Sequence, residues 1–178
     1  MIVLSHLPRN YKQITARGQA IELKVKENMD NNYQRNGSIS NTHVGRDFEN
    51  KIQTYFAQQN IKLIKNVPVF IGIDGKSKSH NFDLGNIDQK IIVECKSHTW
   101  TTTENVPSAK LTTWDQAMYF FYATAGDFRK IFVVLKHISP KRNETLCDYY
   151  IRTKQHLIPN DVEIWEFDEG NNTAIRKI

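Results

Sequence analysis

Residues 131–135 read Ile-Phe-Val-Val-Leu, five apolar side chains without a polar interruption. A strand with one wet face alternates apolar and polar residues. An unbroken run reads instead as a strand buried on both faces, in the middle of a sheet. With 39% apolar and 24% charged residues over 178 positions, the chain can cover such a sheet as a single globular domain.

The flanking patterns supply the cover. Tyr11, Ile14, Gly18, Ile21, Val25 and Met29 recur at helical spacing, predicting a helix over 9–31. A polar loop at 31–38 follows, too early for an independent domain. Asn41 or Thr42 is placed to cap a second helix over 42–59, whose apolar face is Val44, Phe48, Ile52, Tyr55 and Phe56. Residues 61–73 are β-rich but contain Pro68, the mark of an edge, bulged or broken strand. Asp74 to Ser79 reads as a turn bearing Lys76 and Lys78, and 80–84 as a short strand with Phe82 and Leu84 facing one way. A hairpin connection at 85–89 leads to a third strand at 90–96. A Thr/Ser-rich loop precedes a helix over 108–125 with Leu111, Trp114, Met118, Phe121, Tyr122 and Ala125 as its stripe. After the central strand, a short helix near 144–156 and strands near 162–167 and 173–177 complete the chain.

Charge and cysteine content narrow the classes. Lys and Arg outnumber Asp and Glu by 24 to 19. The surplus is uneven, with 20 against 12 over residues 1–142 and 4 against 7 over 143–178. A basic body accepts a polyanionic partner without demanding one. Two cysteines, Cys95 and Cys147, are too few for a disulfide framework or a four-cysteine zinc site. No apolar stretch is long enough to span a membrane, and the first eight residues lack the charged start of a secretory signal. The expected location is the cytoplasm.

The residues that carry chemistry are Asn81-Phe-Asp-Leu-Gly85 and Ile91-Ile-Val-Glu-Cys-Lys96. Strand alternation puts Glu94 and Lys96 on one face and Cys95 on the other. Adjacent antiparallel strands lie about 4.8 Å apart, so Asp83 and Glu94 can approach one metal ion. Glu94 and Lys96 are about 6–7 Å apart at two strand steps, which leaves room for a phosphate or a water. Glu49 lies about 100° around its helix from Phe48, at the edge of the buried stripe beside Gly45. Carboxylates suit Mg²⁺, which keeps sites for water and phosphate. A lysine beside them can stabilise developing charge or assist the attacking water. Acid-x-Lys triplets recur elsewhere, as in Glu22-Leu-Lys24, Asp74-Gly-Lys76 and Asp88-Gln-Lys90, but only Glu94-Cys-Lys96 ends an apolar strand paired with an acidic one.

These motifs resemble the PD-(D/E)xK nuclease superfamily, the fold of many restriction endonucleases. The likeness covers about half the chain, residues 42–138, in the order helix, three strands, helix, strand. Asp83 and Glu94 stand at the two motif carboxylates, Lys96 at the lysine, and Gly45-Arg-Asp-Phe-Glu49 resembles the first core helix with its accessory acid. Phe82 stands where proline is common. The stretches 94–101 and 106–110 resemble a type II restriction enzyme.

The resemblance implies an α/β restriction-endonuclease-like core at 39–138, a mixed sheet flanked by helices. An N-terminal helical arm at 1–38 and a C-terminal helix-strand-strand extension at 139–178 would complete one domain. It implies a Mg²⁺-dependent endonuclease on double-stranded DNA, Mn²⁺ substituting, acting as a homodimer with no membrane partner. Asp83, Glu94 and Glu49 would hold metal beside Lys96. Lys76, Lys78, His98, Ser108 and Lys110 are the candidate DNA contacts, and His80 flanks the site. The alternatives are a structure-specific repair or junction nuclease of the same fold, and a non-catalytic DNA-binding module or nuclease subunit.

Overall fold

The computed structural model describes residues 41–178, so the helix expected over 9–31 and its loop lie outside the described residues. Among the described residues the chain is α/β. A mixed six-stranded sheet in the order β1-β2-β3-β4-β7-β8 carries helices on both faces. Helix α1 is Asn41–Gln58, α2 is Ser108–Tyr122 and α3 is Leu146–Lys154. The strands are β1 Ile64–Ile73, β2 Lys76–Asn86, β3 Ile91–Lys96, β4 Arg129–Leu135, β7 Val162–Asp168 and β8 Thr173–Arg176. A two-stranded ribbon, β5 Ile138–Ser139 with β6 Glu144–Thr145, was not foreseen. No helix is long and apolar enough to cross a membrane among the described residues.

The apolar run of β4 does what its composition demands. β3 and β7 flank it in parallel. Ile131 and Val133 pack with Phe48, Ile52 and Phe56 of α1, while Phe132 and Val134 pack with Leu111, Trp114, Met118 and Phe121 of α2. Burying each such side chain contributes about 1.5–3 kcal/mol. Residues 139–178 are more than an extension, because β7 joins the sheet beside β4 and buries Ile164 and Phe167.

Several expectations shift. Val44 is 42% exposed rather than part of the α1 core face, and Tyr122 is 66% exposed because α2 ends there. The described part of α1 begins at Asn41, the first described residue. The turn between β1 and β2 shrinks to Asp74 and Gly75, both at positive φ, as a two-residue hairpin loop of this twist requires. Lys76 and Lys78 therefore stand on β2, not in a turn. Pro68 falls on β1, an edge strand, where its missing N–H costs no ladder bond.

The departure that matters most is at Asp83. Pairing of β1 with β2 runs through Val67↔Phe82 and resumes at Lys65↔Leu84, skipping Asn66 and Asp83, and Asn66 has φ 53°. The left-handed residue breaks the pleat. Phe82 consequently packs with α2 and Leu84 with α1, on opposite faces rather than one. Gly85 lets the strands close again beyond the break, since a Cβ there would lie 2.7 Å from the Ile91 carbonyl oxygen and 3.2 Å from Val67. Gly85→Ala is expected to destabilise the chain by about 1–3 kcal/mol in chemical denaturation. An unchanged midpoint would show that β2 and β3 have slack here.

Candidate active site

The β2–β3 ladder stops at Leu84↔Val93. Just past it, the Cys95 N–H donates to Asp83 Oδ2 at 2.8 Å. A side-chain carboxylate thus accepts from a backbone N–H where the strand pairing has ended, and the break in β2 fixes where that carboxylate sits. On β3, alternation keeps Val93 and Cys95 against α1 and turns Glu94 and Lys96 the other way.

Asp83, Glu94 and Lys96 do meet, more tightly than strand spacing implied. Lys96 Nζ donates to Glu94 Oε2 at 2.8 Å and lies 3.5 Å from Asp83 Oδ2. No gap for a phosphate separates Lys96 from Glu94; an ammonium bridges two carboxylates. The far oxygen, Glu94 Oε1, accepts from His80 Nε2 at 2.9 Å. The imidazole is held by Phe82 edge-on at 4.7 Å and by Phe120 at 4.1 Å between ring centroids. Glu94 is sealed beneath these partners at 4% exposure.

Above them opens a cavity of about 470 Å³. Glu49 from α1, Asp83, Lys96, His98 and Lys110 all line it. Glu49 lies 3.9 Å from Lys65. Cys95 is buried against the α1 side, where burial pushes its thiol far up, as does the Asp83 charge. Ser108 opens α2 but does not line this cavity, and its carbonyl accepts from Thr112. Lys76 and Lys78 are exposed on the β2 ribbon, outside the cavity. Among the described residues no group of three or more His, Cys, Asp or Glu side chains converges as a metal cage.

The ionisation states follow from burial and neighbours. Burial first, then the Glu94 charge, raises the Asp83 carboxyl to about 6 against the pull of Lys96 and the Cys95 N–H. Burial also disfavours the Glu94 charge, but the His80 hydrogen bond and Lys96 outweigh it and its pKa falls. Lys96 is the converse: burial opposes its charge, Glu94 and Asp83 support it, and its pKa rises.

Comparison with protein-family models, with curated proteins and with solved structures found no match to this chain. The functional reading therefore rests on the residues and their geometry.

The sequence places His80 beside the site but gives no sign that it holds Glu94. An unbroken β2–β3 ladder would set it level with Ser97, three steps beyond Glu94. Only the break at Asp83 brings the imidazole back to the carboxylate. Asn66, an Asn in a β-rich run and well suited to positive φ, was the available signal.

The raised Asp83 pKa has a sign that can be measured. The folded chain keeps a proton on Asp83 where the unfolded chain, at the ordinary 3.8, has lost it. That contribution to stability is present below the unfolded value and disappears as pH rises through about 6. Asp83→Asn is expected to raise the thermal midpoint at pH 7.5 and to leave it nearly unchanged at pH 4.5. Equal shifts at both pH values would show that Asp83 does not titrate between them.

Proposed function

We propose that this chain is a Mg²⁺-dependent endonuclease that hydrolyses phosphodiester bonds in double-stranded DNA, of the type II restriction kind and of the PD-(D/E)xK fold. One observation carries the reading: Lys96 bridges Asp83 and Glu94 beneath a cavity that Glu49 also lines. The element order from α1 to β4 agrees with it.

The donor chemistry fits Mg²⁺. Mg²⁺ is commonly held by one or two carboxylates and keeps several waters, so a full protein cage is not required. Asp83 Oδ1 has no hydrogen-bond partner among the described residues, and a cation, the Lys96 ammonium, already sits between the two carboxylates. Asp83 and Glu94 would hold the ion with Glu49 assisting, and Mn²⁺ would substitute. Bound there, it supplies Lewis-acid polarisation of the phosphoryl group.

The protein's own groups do the rest. Lys96 keeps its proton in this setting, which suits it to stabilising developing phosphoryl charge rather than to taking a proton from water. His80 holds one oxygen of Glu94 and Lys96 the other, so the carboxylate is fixed in place. Lys76 and Lys78, two residues apart on β2, share the ribbon face with His80 and suit contacts to the phosphate backbone. Cutting both strands with one centre per chain calls for a homodimer, whose twofold axis would match a palindromic target.

Purified chain with plasmid DNA and Mg²⁺ is expected to give discrete fragments, and none in EDTA. Glu94→Ala and Lys96→Ala are each expected to lower the rate at least about 100-fold with far-UV circular dichroism preserved. Either variant cutting at the unsubstituted rate would overturn the site assignment. A four-way junction cut while plasmid stays intact would move the activity to a junction nuclease. Binding without cleavage of either would make the chain a binding module.

A further inference from the structure

His98 lines the same cavity, within the influence of the Lys110 and Lys96 charges. Its Nδ1 accepts a hydrogen bond from the indole Nε1–H of Trp114 at 2.9 Å, with the two rings within 17° of coplanar. Trp114 is fully buried, packed between Phe132 and Tyr150. An indole N–H can only donate. The nitrogen facing it must therefore be an unprotonated acceptor, which places the proton of the neutral ring on Nε2. A doubly protonated imidazolium would set two donors against each other.

The surroundings enforce the same state. Burial and then the charges of Lys110 and Lys96 press the imidazole down to about 4, so it stays neutral. Nε2 makes no hydrogen bond among the described residues, and neither Asp83 nor Glu49, the carboxylates lining the cavity, accepts from it. The half-buried ring thus holds one uncommitted donor of fixed tautomer beside two lysines.

We propose that His98 binds the substrate, presenting a neutral Nε2–H to a non-bridging phosphoryl oxygen of DNA in this cavity, with Trp114 as the positioning residue that locks its tautomer. This rests on the nuclease reading above and adds to it a phosphate contact of defined protonation. A phosphodiester oxygen only accepts, so it complements a group that can only donate. Lys110 and Lys96 supply the charge while His98 supplies direction.

Two substitutions separate ligand contact from structural support. His98→Asn keeps an acceptor near the Nδ1 position for Trp114 but removes Nε2–H. His98→Gln carries an amide N–H toward the Nε2 position but leaves the Trp114 indole short of its acceptor. Binding of a short mixed-sequence duplex in EDTA, followed by fluorescence anisotropy, is expected to weaken about 10- to 100-fold for His98→Asn with its thermal midpoint kept. His98→Gln should bind more tightly than His98→Asn yet melt at a lower temperature. The opposite ranking, binding that follows the melting temperature, would show that His98 serves only the core. Nitrogen-15 histidine spectra of the unliganded chain should report the Nε2–H tautomer from pH 6 to 8. An Nδ1–H ring or an imidazolium there overturns the lock. If the unsubstituted chain fails to bind the duplex, the nuclease reading falls and this contact with it. If it binds and His98→Asn binds equally, this contact alone falls.

Discussion

The hydrogen bond from the Cys95 N–H to Asp83 Oδ2 is the constraint on which the site depends. It exists because the pairing of β2 with β3 covers only Leu84 to Asn86 and does not reach Asp83, and because Asn66, at positive φ, releases Asp83 from β1 as well. A residue freed from both neighbours can turn its side chain along the sheet instead of out of it. The bond then ties that side chain to β3, one residue from Glu94 and one from Lys96. The same break sends Phe82 to the α2 face, where it stacks on Phe121 and steadies His80. One irregularity in a hairpin thus brings Asp83 and His80 to Glu94 and Lys96, which regular alternation on β3 already presents.

Those side chains are a poor way to make a stable protein. Moving a carboxylate and an ammonium out of water costs several kcal/mol each, and their attraction repays this only with good geometry. Here Glu94 is satisfied on both oxygens, yet Asp83 is left with a pKa raised to about 6. An apolar pair of the same volume would fill the space without that conflict. The strain falls on Asp83, which opens to the cavity, where a cation arriving from outside would relieve it. Charge held below its ordinary ease of ionisation at the edge of a cleft is the pattern expected of a working group rather than a structural one.

The sheet was legible in the sequence and the site's closure was not. The run at 131–135 announces a central strand because no helix-covered edge tolerates it, and Pro68 marks an edge because a proline cannot feed a ladder. Glu94, Lys96 and Cys95 sort to opposite faces by simple alternation. Alternation fails at Phe82 and Leu84, since period two holds only while the pleat is regular. The contacts of His80 with Glu94 and of Trp114 with His98 join residues 14 and 16 positions apart through packing that no local period encodes. Tyr122 was misplaced for a related reason: its spacing fits the α2 stripe, but the helix ends before a further turn could bury it.

The basic surplus also takes a different form in three dimensions. The acidic C-terminal stretch does not stand apart from the basic body; it pairs with it. Arg129 is held by Glu163 through two hydrogen bonds, Lys130 by Asp161 and Lys136 by Asp168. These pairs neutralise the two cations of β4 and the lysine that follows it at the join between β4 and β7. Lys76, Lys78 and Lys110 make no salt bridge among the described residues, two on the β2 ribbon and one at the cavity. Sequence order hides this sorting, because Arg129 and Glu163 are 34 residues apart. The charge the surface presents is therefore set less by the net count than by which cations the acidic residues of the C-terminal stretch leave unpaired.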